Sequence, residues 1–114
     1  MEIYQVDAFT DQPYQGNPAA VCILDNLQEV SWLTDVAREM SLPETAFIFK
    51  QKEGYNLRWF TPTSEVDLCG HATLASAHVL WQTGKVDKDQ DIKFNTKSGL
   101  LIAKNKEPWI ELDF

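Results

Sequence analysis

The sequence is poor in cysteine, in histidine and in positive charge. It carries two cysteines, Cys22 and Cys69, and two histidines, His71 and His78, in 114 residues. So few thiols exclude a disulfide-rich scaffold. Free thiols and a cytoplasmic location are the expectation, with a Cys22–Cys69 bridge as the alternative. Cys69-x-His71 is one ligand pair, and the sequence offers no second pair, so no metal site is expected. Lys and Arg number 10 against 17 Asp and Glu, a net charge of −7. That balance argues against a nucleic-acid partner and against an anionic membrane surface, both of which attract basic patches. A small anionic substrate stays compatible, because a helix terminus can override the mean field locally. No apolar run approaches the roughly 20 residues that span a bilayer. The chain starts Met-Glu-Ile-Tyr and turns strand-like at once, so no secretory leader is expected.

What is present points to a folded domain. Hydrophobic residues make up 44% of the chain, and four Trp, three Tyr and six Phe are among them. A disordered chain has fewer aromatics and more charge. Residues 1–114 read as a single domain, with no repeat, linker or low-complexity tract. Apolar alternation predicts strands at Glu2–Phe9, Ala19–Leu24, Thr45–Phe49, Tyr55–Phe60, Ile92–Phe94, Leu100–Ala103 and Trp109–Phe114. In the fourth of these, Leu57, Trp59 and Thr61 share one face, and Arg58 and Phe60 the other. Val30, Leu33, Ala37 and Met40 recur at helical steps. They predict an amphipathic helix over Ser31–Met40, with Ser31 as N-cap and Pro43 at or just beyond its end.

The second helix, Gly70–Thr83, differs from the first. Ala72, Leu74, Ala75, Ala77, Val79, Leu80 and Trp81 leave it no continuous polar face, so it should be buried. Gly84 is its stop signal. A helix apolar nearly all round needs cover on all sides. The expected architecture is therefore α+β, a curved mixed β-sheet or barrel wrapped around this central apolar helix.

Three places could carry chemistry. Glu44 lies in Ser41-Leu42-Pro43-Glu44-Thr45-Ala46, among short and apolar neighbours. Partial desolvation there would suit a general acid/base, and a solvated loop glutamate is the competing reading. Cys69-Gly70-His71 stands at the start of the buried helix. Gly70 permits close backbone approach, the first-turn N–H groups can hold a carboxylate, and a thiol in that position should shift toward thiolate. His71 can exchange a proton with a bound group. The competing readings are a small core thiol and a polar filler. His78 reads as a satisfied buried histidine. Asn17, in Gly16-Asn17-Pro18, could hold a carboxylate or amine, or could simply serve the turn. Glu65 and Asp67 read as loop surface charges.

The motifs Asp7-Ala8-Phe9-Thr10, Gly16-Asn17-Pro18-Ala19-Ala20-Val21, Ala37-Arg38-Glu39-Met40, Glu44-Thr45-Ala46-Phe47, Arg58-Trp59-Phe60-Thr61-Pro62, Glu65-Val66 and Cys69-Gly70-His71-Ala72-Thr73 occur in one order. In that order and combination they resemble the phenazine-biosynthesis PhzF-like proteins, and they cover most of the chain. The resemblance implies the diaminopimelate-epimerase-like fold, in which two similar halves each curl a sheet around a helix and the active site lies between them. It implies an isomerase that moves protons on a small carboxylate-bearing substrate without a cofactor. The family's catalytic glutamate falls on Glu44, and its substrate-binding glycine and histidine on Gly70 and His71. In related epimerases the counterpart of Asn17 contacts substrate, and the counterpart of Cys69 is one of two catalytic thiols, which makes Cys69 a possible second acid/base. The chain departs from the family in length. It corresponds to an N-terminal half, so the resemblance implies a cleft with one wall. An isolated half is expected to be weakly active or inactive without a homodimer partner or a complementary C-terminal half. Two alternatives follow: a cysteine-based amino-acid epimerase or racemase half, and a truncated, non-catalytic, self-associating binding protein.

Overall fold

The computed structural model describes residues 1–8, 17–107 and 109–113, with the backbone alone at Asp7, Ala8 and Asn17. Among the described residues the eight strands are β1 (Glu2–Ala8), β2 (Asn17–Leu24), β3 (Glu44–Lys50), β4 (Tyr55–Phe60), β5 (Glu65–Val66), β6 (Ile92–Thr96), β7 (Gly99–Lys106) and β8 (Trp109–Asp113). Helix α1 (Val30–Met40) follows β2, and α2 (Gly70–Gln82) follows β5. The sheet order is β1-β2-β3-β4-β6-β7-β8, with β5 pairing off the path onto β4. Two neighbouring pairs, β2·β3 and β4·β6, are parallel, and the others are antiparallel.

Each parallel pair needs a crossover, and each helix supplies one. The two crossovers cover opposite faces of the sheet. Cys22 and Leu24 of β2, Phe47 of β3 and Phe60 of β4 pack with Leu33 and Ala37 of α1. Ala19, Val21, Ile23, Ala46, Ile48, Leu57 and Trp59, displaced by one residue on the same strands, pack with α2. The period of two along each strand decides which helix a residue meets. Phe94 of β6, Leu101 and Ala103 of β7, and partly buried Ile110 and Leu112 of β8 join the α2 side. Residues from both ends of the strand order, Tyr4 and Val6 of β1 and Ile110 and Leu112 of β8, thus pack against the one core cluster that contains α2, and the sheet curls around it.

Inside this core the polar groups are mostly paired. The hydroxyls of Thr73, Ser76 and Thr83 donate to carbonyls one helical turn back, at 2.7 Å each. That lets a nearly apolar helix carry hydroxyls without leaving donors unpaired. The Trp81 indole N–H donates to the Gln90 carbonyl at 2.9 Å. Gly54, in the turn between β3 and β4, has φ of 79°, and a Cβ there would lie 2.4 Å from the Lys93 carbonyl oxygen. Both the left-handed backbone and the close approach of β6 require glycine at this turn.

Four expectations need correction. The N-cap of α1 is Glu29, in extended conformation and without a side-chain cap, so Ser31 lies inside the first turn. The helix closes on Ser41, whose left-handed φ of 54° lets its N–H reach the carbonyls of Ala37 and Arg38. There is an eighth strand, β5, two residues long, where a polar loop was expected. The helix α2 is not covered all round. His71, His78 and Gln82 are exposed along one side, with Leu74 half-buried beside them, so His78 is not a buried histidine. Their spacing marks a single helical stripe.

Candidate functional site

Glu44 opens β3 rather than lying in a loop. Because β2 and β3 run parallel with Ala19 opposite Glu44, Asn17 at the head of β2 belongs to the same end of the sheet. The backbone of Asn17 pairs with Ala8, and its side chain lies outside the described residues. Alternation puts Glu44 on the face of Ala46 and Ile48, the face that packs on α2.

The N-terminus of α2 comes to the same end. Cys69 is the N-cap, extended at φ −144°, and its side chain makes no capping hydrogen bond. No acidic residue occupies the first turn of the helix itself, whose N-terminus carries partial positive charge. Gly70 is half-buried, and a Cβ there would meet nothing within 4 Å. His71 is exposed on the first turn. The structure thus brings Glu44, Cys69, Gly70 and His71 to one end of the fold.

The thiol behaves differently from the expectation. Burial pushes the half-buried Cys69 thiol above its ordinary value, and the neighbouring Glu44 carboxylate adds to that, while the backbone N–H groups of Ala72 and His71 pull the other way. Desolvation outweighs the helix terminus here, so Cys69 favours the neutral thiol over thiolate. Both cysteines are free, and burial raises the Cys22 thiol to about 11. The Oε2 atom of Glu44 is buried and finds no hydrogen-bond partner among the described residues. A buried carboxylate oxygen without a donor is costly, and a bound ligand that supplies a proton would relieve it. Among the described residues no group of three or more His, Cys, Asp or Glu could hold a metal ion.

The segment that delivers Cys69 is anchored at several points. Arg58 donates to both carboxylate oxygens of Glu65, from Nε at 2.7 Å and from Nη2 at 2.8 Å. Lys97 approaches the same carboxylate at 3.5 Å, and Ser98 Oγ donates to the Asp67 carbonyl at 2.6 Å. The Glu65 side chain is only 12% exposed, so this is a clasp and not a loose surface charge. The hydrogen bonds from Arg58 hold the Glu65 carboxyl below its usual range. Before it, Thr61 closes a turn by donating its N–H to the Ser64 carbonyl at 2.8 Å. Beyond it, the Trp59 indole donates to Thr73 Oγ1 at 2.9 Å, and that hydroxyl donates to the Cys69 carbonyl at 2.7 Å. Thr73 ends the motif Cys69-Gly70-His71-Ala72-Thr73, and this link was not legible in the sequence. A tryptophan on the buried face of a strand was the available signal, since its N–H needs a partner.

The opposite end of the sheet has other chemistry. A cavity of about 300 Å³ there is lined by Lys50, Tyr55, Lys85 and Lys93 among others, and by none of the candidate residues. Lys85 is paired with Glu2 at 2.9 Å, and Lys50 lies 4.9 Å from the centre of the Tyr55 ring.

Residues 6–111 match the family model described as phenazine biosynthesis-like protein, PhzC-PhzF. The chain belongs to that family. An uncharacterised isomerase from Halalkalibacterium halodurans is 58% identical over 112 residues, which is 98% of this chain and 42% of the relative. The chain thus spans about two fifths of the length of the curated relatives it matches. The crystal structure of a PhzF family protein from Enterococcus faecalis superposes with a TM-score of 0.88 at 44% identity, over 95% of this chain and 41% of that one. A hydroxyproline epimerase from Agrobacterium vitis, solved with trans-4-hydroxy-L-proline, shares the fold at a TM-score of 0.65 and 10% identity, over 89% of this chain and 36% of that one. The PhzF-like chain is therefore a curled half-barrel of the kind found in PhzF and epimerase-fold proteins. Among its described residues no helix is long and apolar enough to cross a membrane.

Proposed function

We propose that residues 1–114 form one domain that supplies the N-terminal wall of a PhzF-like isomerase cleft. The reaction is cofactor-independent proton transfer on a small carboxylate-bearing substrate. One observation carries this reading: a buried oxygen of Glu44, without a hydrogen-bond partner among the described residues, lies beside Cys69 at the N-terminus of α2. Glu44 takes and returns a proton. Gly70 and the first turn of α2 hold the substrate carboxylate, with the positive end of the helix dipole favouring the anion. His71 orients the bound group, and Asn17 contributes a polar contact from the head of β2. Proton transfer by a positioned side chain is worth about 10²–10⁴ in rate.

The second wall comes from a second copy or from a complementary C-terminal half, and it covers the exposed stripe of His71, His78 and Gln82. Without it the site is wet, and positioning and water exclusion are lost. The epimerase alternative, with Cys69 as base, is less well supported because burial favours the neutral thiol. The non-catalytic, self-associating alternative rests on the same exposed stripe and predicts a dimer without turnover.

The test is deuterium incorporation from D₂O at the carbon beside the carboxylate of a cyclic or amino-acid substrate, catalysed by the chain together with its complementary half. Glu44→Gln is expected to lower the exchange rate about a hundredfold or more. Exchange at the unmodified rate in Glu44→Gln would remove Glu44 from this role.

A further inference from the structure

Thr73 is fully buried, and its hydroxyl is used twice. It accepts from the Trp59 indole N–H at 2.9 Å and donates to the Cys69 carbonyl at 2.7 Å. The same carbonyl also accepts the Thr73 backbone N–H at 3.1 Å. Trp59 has no exposed surface and sits on β4 opposite Ala46 of β3. Ala46 is two residues along the same strand from Glu44, on the same face. One continuous path therefore runs from the strand that carries Glu44, across β4, through an indole and a hydroxyl, to the N-cap of the helix that carries Gly70 and His71.

An ordinary back-bonded threonine would need only the carbonyl four residues earlier, as Thr83 does with Val79. Thr73 differs in receiving a buried donor from another element. A hydroxyl that both accepts and donates fixes its own rotamer, and so fixes the distance between the two groups it joins. Of the three back-bonding hydroxyls in and after α2, it is the one that also ties the helix to the sheet, and it does so beside the N-cap.

We propose that Thr73, held by Trp59, is a positioning residue for the candidate site: it sets the Cys69–Gly70–His71 turn against Glu44. This deepens the isomerase reading, since it concerns the same site. Its physical content is independent of turnover. With the hydroxyl gone, the Cys69 carbonyl keeps its backbone bond, so α2 still starts at Gly70. What is lost is the link to β4, and with it the burial of the thiol against Glu44.

The experiment is carried out on the 114-residue chain at a temperature where wild type, Thr73→Ser and Trp59→Phe are folded. Alkylation of Cys69 by iodoacetamide is followed as a function of pH by peptide mass spectrometry, which separates Cys69 from Cys22. In Thr73→Val, the near-isosteric change that removes only the hydroxyl, the midpoint is expected to fall toward the ordinary thiol value, and the rate at pH 8 to rise several-fold. Thr73→Ser restores the wild-type profile. Trp59→Phe, which keeps the hydroxyl and removes its donor, moves the profile in the same direction by less, and it carries the test if Thr73→Val does not fold. A profile unchanged in both variants, or a shift that Thr73→Ser does not reverse, overturns the proposal even if melting temperatures fall. If the profile shifts as described while Glu44→Gln leaves deuterium exchange unchanged, the positioning role stands and the isomerase reading fails.

Discussion

The two helices occupy equivalent places in the chain, each crossing over between parallel strands, and they serve different ends. Helix α1 lies on the outer face with only Leu33 and Ala37 buried. Helix α2 buries Ala72, Thr73, Ala75, Ser76, Ala77, Val79, Leu80 and Trp81 inside the curl. Their ion pairs differ in the same way. Arg38 and Asp35 on α1 meet at 3.4 Å with side chains 65% and 70% exposed. Arg58 and Glu65, which hold the approach to α2, meet at 2.7 Å with exposures of 26% and 12%. A half-solvated pair such as the first contributes little to stability, whereas a bidentate, shielded pair can hold a loop. The proposed site therefore lies on the inner helix, where anchoring is dense, and the outer helix closes the second face of the sheet.

The contrast is sharpest in truncation. Leu80→Ala is expected to destabilise the chain by about 3–4 kcal/mol, because the cavity opens among residues of β-strands and α2 that cannot collapse into it. Leu33→Ala, on the outer face, is expected to cost about 2 kcal/mol, since one side of α1 can settle toward the sheet. Urea unfolding of both variants measures the difference. Equal losses would mean that the two faces contribute alike.

A smaller effect concerns the clasp. Glu65→Gln is expected to lower stability by about 1 kcal/mol at pH 7. The folded carboxyl is held below its ordinary value by Arg58, so its contribution is fully present above the unfolded value of about 4.3 and is lost as pH falls through the folded one. The gap between wild type and Glu65→Gln should thus close on acidification below about pH 4. A gap that stays constant from pH 7 to pH 3 would show that Glu65 acts through shape alone.

Much of the fold was legible because apolar periodicity is strong here. The alternation in Tyr55–Phe60 assigned Leu57 and Trp59 to one face and Phe60 to the other, and the structure places them with α2 and α1 respectively. The apolar content of α2 announced an inner helix and hence a curled sheet. The misses share a cause: each depends on which partner arrives from far along the chain. Two residues of β5 form a strand only because Trp59 and Phe60 offer them an edge. Glu65 looked like a surface charge until Arg58 and Lys97 were in reach. His78 faces outward because one stripe of α2 has no sheet over it. At Cys69, the helix terminus was visible in the sequence and the competing burial was not. Local chemistry marked Glu44 and Cys69-Gly70-His71 as candidates, and only the parallel pairing of β2 with β3 and the placement of α2 bring them together.

On the proposed function, the end of the fold carrying Glu44 and the start of α2 holds a small carboxylate. Titration of the chain with benzoate, followed by backbone amide chemical shifts, tests it most directly. The largest shifts are expected on Cys69–Thr73 and on Glu44, with Lys85–Lys93 around the opposite cavity staying in place. Shifts concentrated on that lysine-lined cavity, or none at the start of α2 at millimolar benzoate, would contradict it.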